Sequence, residues 1–124
     1  MNESLDKRRY GVIEVRYHHR GQVAAYYLTI NGEVWACVEW SPRRRAWCVQ
    51  DASGRCLAHC DAIHGEHVDA ETAIRLAKKM IRDGRIPTPE DAAQQLQDRL
   101  RSAERLDAGY DQQADPVIVS RSED

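Results

Sequence analysis

Between Val12 and Cys60, apolar and polar residues alternate with a period of two, in short runs rich in β-branched and aromatic side chains separated by polar or glycine-containing breaks. That alternation marks half-buried strands, and it predicts five, near 12–17, 23–30, 34–40, 45–50 and 55–60. Asn31-Gly32 lies between the second and third runs. A type I′ hairpin needs positive φ at both central residues, which this pair tolerates. Uninterrupted pairing outward from that turn places Val23, Ala25, Tyr27, Thr29, Val34, Ala36, Val38 and Trp40 on one face, with no charge among them. Four-residue loops at 41–44 and 51–54 add Trp47, Val49, Cys56, Ala58 and Cys60. This face is the predicted core. The first strand disagrees, because a four-residue loop at 18–21 sends Ile13, Val15 and Tyr17 to the other side. A one-residue slip reverses a strand, so a bulge at Gly21 is expected to restore agreement.

Beyond the strands the period changes to 3.6. Ala70, Ala73, Ile74, Ala77 and Ile81 form one stripe, with Asp69 as the expected N-cap and Gly84 as the stop. Thr88-Pro89-Glu90-Asp91 then supplies a capping hydroxyl, a proline suited to the first helical position and acids for the first turn. A second helix follows to about residue 107 with a narrow seam of Ala93, Leu96, Leu100 and Ala103. The predicted fold is α+β: an antiparallel meander of about five strands, then two helices, the first packed on one sheet face. Residues 1–9 are read as a flexible segment, 10–107 as a single domain and 108–124 as an acidic, mobile tail in which Val117-Ile118-Val119 could dock.

The same register turns Tyr26, Leu28, Ile30, Trp35, Leu57 and His59 outward, interleaved with Glu33, Glu39 and Arg55. Apolar groups on a surface rimmed by charge mark an interface. The expected function is therefore non-enzymatic binding of a protein partner, or homodimer formation, through this outer face.

A chain of 124 residues supports one core. Its net charge of −2 divides unevenly, with nine Lys/Arg against six Asp/Glu in residues 1–60 and nine against fourteen in 61–124. Arg outnumbers Lys fifteen to three, a bias that a GC-rich coding sequence of a small bacterial protein also produces. Arg43, Arg44 and Arg45 flanked by Trp40 and Trp47, with a helix stripe of Arg75, Lys78, Lys79 and Arg82 continued by Arg85, give the alternative reading: DNA or RNA binding through phosphate contacts and stacking. An inhibitor or adaptor encoded by a phage or mobile element is a further alternative. No run reaches the length of a membrane helix and the N-terminus lacks a signal-peptide core, so a cytoplasmic protein that does not enter membranes is expected.

Four cysteines in that compartment are expected as reduced thiols without a disulfide. Cys56, Cys60, His64 and His67 are residue types that zinc favours. In one strand, however, residues 56 and 60 stand about 13 Å apart at ~3.3 Å per residue, so no metal or other cofactor is expected. Cys37 and Cys48 fall opposite each other on the outer face, where a bridge would be poorly accommodated. His18, His19, His59, His64 and His67 offer general bases, but no nucleophile motif, phosphate loop or dinucleotide fingerprint accompanies them, and no catalytic residue is assigned.

Overall fold

A computed structural model describes residues 7–21 and 23–113, excluding the side chains of Arg20 and of residues 106–113. After a 3-10 turn at Lys7–Tyr10 come β1 (Ile13–Arg20), β2 (Val23–Ile30), β3 (Glu33–Ser41), β4 (Ala46–Asp51) and β5 (Cys56–Asp61). Helices α1 (Glu66–Arg82) and α2 (Pro89–Gln113) complete the order. The strands form one antiparallel sheet in the sequence order β1-β2-β3-β4-β5, the expected meander. Helix α1 lies across β3, β4 and β5. Residues 7–93 belong to one compact unit, and the chain from Gln94 onward belongs to another.

The turn at Asn31-Gly32 is present, with φ of 53° and 81° at its two residues, and it pairs Ile30 with Glu33. One pair further on, the register shifts: Thr29 faces Val34, but Leu28 faces Ala36, which leaves Trp35 as an extra residue in β3. This bulge reverses β2 relative to β3. Ala24, Leu28 and Ile30 therefore join Ala36, Val38 and Trp40 in the core, and half-buried Tyr26 packs against them. Tyr27 moves to the other face, where it meets the ring of His18. Pairing of β1 with β2 runs without a break from Ile13–Ile30 to Arg20–Val23. The expected bulge at Gly21 is thus absent, and the irregularity that brings β1 into agreement sits at Trp35.

A second bulge follows the same logic. Val49 faces Ala58 but Gln50 faces Cys56, so Leu57 is the extra residue and packs against the core. Cys56, expected in the core, is exposed on the opposite face. Each bulge thus adds a large apolar side chain to the core side of a strand, burying surface worth roughly 25 cal/mol per Å².

Three of the predicted outer-face residues are consequently core: Leu28 is 0% exposed, Ile30 1% and Trp35 0%. Tyr26 and Leu57 are half-buried against that core, and only His59 stays outside.

Helix α1 begins three residues before the expected cap. Gly65 occupies the N-cap, and Asp69 reaches back from inside the helix to accept the His64 backbone N–H at 2.6 Å. Its C-terminus is as expected. Gly84, at φ 76°, donates to the Ile81 carbonyl while Arg85 donates to that of Met80, the paired bonds of a Schellman stop. Ala70, Ala73, Ala77, Met80 and Ile81 are buried against the sheet, and the Trp47 indole Nε1 donates to the Glu66 carbonyl at 2.8 Å to fix the other end.

Of the segment read as flexible, Lys7, Arg8 and Arg9 are among the described residues. Arg8 and Arg9 lie over the Trp35 ring, 5.3 and 5.1 Å from its centroid. Arg8 also pairs with Glu33 and Glu90, and Arg9 donates to the Ile81 carbonyl at the end of α1. Thr88 caps α2 through the Asp91 N–H at 3.1 Å, as the sequence predicts. Ala92, not Ala93, is the buried alanine of the first turns. From residue 94 to 105 the helix is exposed apart from half-buried Leu96. Val117-Ile118-Val119 lies outside the described residues.

Candidate functional site on the open sheet face

Since α1 and the core occupy one side of the sheet, the chemistry of residues 7–93 gathers on the other side and along its β1 border. Two depressions mark this face. One, of about 460 Å³, is lined by Arg16, Tyr17, His18, Tyr27, Thr29, Gly32 and Val34. The other, of about 400 Å³, lies over β3, β4 and β5 and holds Glu39, Arg44, Cys48, Gln50, Cys56 and His59.

In the second depression Cys48 stands between two direct cross-strand neighbours, Glu39 on β3 and His59 on β5. The Leu57 bulge brings Cys56 diagonally beside Cys48, with Cα atoms 6.0 Å apart, and the two are joined as a disulfide. The expectation of four free thiols is corrected here. So is the Cys37–Cys48 juxtaposition: the β3–β4 turn closes at Ser41–Ala46, which puts Gln50 opposite Cys37. Arg44 Nη1 lies 3.0 Å from His59 Nε2, so that nitrogen accepts and the ring proton sits on Nδ1. Cys56 Sγ lies 3.5 Å from the same nitrogen. Gln50 Nε2 donates to Glu39 Oε1 at 2.8 Å.

The remaining thiols differ in character. Cys37 is buried, and burial followed by the nearby Glu39 pushes its pKa up to about 12. Cys60 faces the core side, half-buried, its pKa raised by burial and by Asp69 and Asp61. Cys56 and Cys60 thus project to opposite faces, and the Cys-Cys-His-His series does not converge.

His64 Nδ1 lies 3.3 Å from Asp69 Oδ1. The Asp69 pKa is lowered, first by the His64 backbone N–H and then by its side chain and the Gly65 backbone N–H. This pair organises the start of α1.

Arg43, Arg44 and Arg45 are exposed at the β3–β4 turn, with Arg45 at φ 53°. That turn adjoins the N-terminus of α1, since Ala62 donates to the Arg45 carbonyl. Arg75, Lys78, Lys79 and Arg82 run toward the other end of the helix, roughly 13 to 24 Å from Glu66 at 1.5 Å per residue. Lys79 pairs with Asp83, and Arg82 donates to the Arg9 carbonyl. The two basic elements of the nucleic-acid reading are not brought together.

Among the described residues the sheet has two edge strands, β1, which pairs with β2, and β5, which pairs with β4; exposed apolar side chains gather at β1. Beside it stand exposed apolar groups: Tyr10 at 61%, Val12 at 77% and Tyr17 at 54%. The Tyr17 ring contacts those of Tyr26 and His19. The sequence reading missed this margin because it weighed faces and not edges. The signal available was Val12 just before, and Tyr17 in the middle of, an eight-residue strand with no proline or lysine.

No protein-family model matches the chain, and comparison with curated proteins and with solved structures also returns no match. Among the described residues no helix is long and apolar enough to cross a membrane.

Proposed function

We propose that this protein is a non-enzymatic binding module that pairs β1 with an extended segment of a protein partner or of a second copy of itself. The observation that supports this is the free edge of β1 with exposed Val12 and Tyr17 beside it. Sheet edges of this length are ordinarily blunted by lysine, proline, bulges or a covering element. An added strand would satisfy the outward backbone groups, while the adjoining depression with Tyr27 and Val34 would receive alternate side chains. Glu14 and Arg16, exposed on the same strand, would select complementary charges.

The test is sedimentation over a wide concentration range together with selection of displayed peptides, on the parent and on Val12→Lys with Tyr17→Lys. Both positions are exposed, so the fold is retained, and the new lysines act as edge guards. Self-association or peptide binding in the parent, weakened at least about tenfold in the double variant (about 1.4 kcal/mol), supports the reading. A monomer that selects no peptide, or binding indifferent to the change, refutes it.

A second reading, binding of DNA or RNA, rests on the exposed Arg43, Arg44 and Arg45 at one turn. It requires an affinity that falls steeply with salt.

A further inference from the structure

We infer that Cys48, Cys56 and His59 form a binding site for a soft divalent cation of the zinc type once the Cys48–Cys56 disulfide is reduced. The ligand atoms of these three residues lie within 4.8 Å of one another. Tetrahedral zinc, with Zn–S of about 2.3 Å and Zn–N of about 2.0–2.1 Å, places a sulfur and a nitrogen ligand about 3.5 Å apart. Cys56 Sγ and His59 Nε2 are separated by 3.5 Å. The backbone fixes the set from two strands: His59 is directly opposite Cys48, and the bulge at Leu57 turns Cys56 to the same face. Two thiolates and an imidazole make a three-residue site with a fourth position open. Glu39, opposite Cys48 on β3, stands outside this set of three, its Oε1 held by Gln50.

Charge favours the arrangement. A divalent ion, two thiolates, the Glu39 carboxylate and the Arg44 guanidinium sum to zero at one end of an open depression. In the metal-free form Arg44 donates to His59 Nε2, the lone pair that the ion would take. The chemistry is balanced in two steps. A thiol reductant supplies two electrons and two protons, cleaving the S–S bond to two thiols and becoming oxidised to its own disulfide. The cation then displaces both thiol protons, so that affinity rises with pH until the thiols are deprotonated. A disulfide oxidant that takes the two electrons from the paired thiolates, and is itself reduced to two thiols, would release the ion and restore the bridge, which couples the open face to redox state independently of whether β1 binds a partner.

The experiment titrates the full chain, reduced with a phosphine under anaerobic conditions, with cobalt(II) and then zinc. The expected result is one cobalt per chain with a thiolate-to-cobalt charge-transfer band that zinc abolishes. Cys48→Ser and Cys56→Ser should each weaken binding at least about tenfold, whereas Cys60→Ser retains it. In the parent, zinc should slow alkylation of Cys48 and Cys56 while leaving Cys60 unaffected, a readout that needs no variant to fold. Absence of the charge-transfer band in the reduced parent overturns the inference, as does a band that survives unchanged in either serine variant, or zinc protection that falls equally on Cys60.

Discussion

Trp35 and Trp47 carry more of this fold than any other side chains, being the largest residues almost wholly removed from water. Trp47→Ala or Trp35→Ala is expected to cost about 3–5 kcal/mol, the range for large aromatic truncations in a core. Tyr27→Ala, on the open face, should cost far less. Chemical denaturation of the three variants measures the contrast, and equal losses would place Tyr27 in the core. Asp69 gives a pH signature. Its folded-state pKa lies below the unfolded value, so its contribution is complete above about pH 4 and is lost as the pH falls through the folded pKa. The stability gap between the parent and Asp69→Asn should therefore be widest near neutrality and close in acid. A gap that is constant down to pH 2 would assign the effect to packing.

At the scale of elements, the strands, the Asn31-Gly32 turn, the stripe of α1, its Gly84 stop and the Thr88 cap were all legible, because each rests on local chemistry. What was not legible was the position of the bulges. Conflict between β1 and the rest of the sheet announced one, yet nothing local distinguishes Trp35 from Gly21 as its place. Only the energetics of the whole face decide it: a bulge at Trp35 buries Leu28, Ile30 and Trp35 together, whereas one at Gly21 leaves all three in water. The Leu57 bulge gave no sequence signal, so the Cys48–Cys56–His59 cluster could not be foreseen. Leu28→Lys with Trp35→Glu is accordingly expected to unfold the protein, as judged by circular dichroism. A folded double variant would restore the bulge-free register. Gly84→Ala should cost about 1 kcal/mol in thermal unfolding, since its φ of 76° disfavours a side chain.

For the molecule as a whole, the sheet has one side committed to its core and another left open, bordered by the edge of β1. Apart from the Arg44–His59 contact, the bonds of the basic turn are made by its backbone, so Arg43→Gln, Arg44→Gln and Arg45→Gln together should change stability by less than about 0.5 kcal/mol each. If nucleic acid binds there, the salt slope should become shallower by up to about one unit per lost phosphate contact. The central claim concerns β1, and amide hydrogen exchange tests it most directly. Outward amides of Ile13–Arg20 should exchange rapidly in dilute monomer and become protected when the protein self-associates or takes up a selected peptide. Protection that leaves β1 unchanged and appears instead on the outer surface of α1 or at Arg43–Arg45 would contradict it.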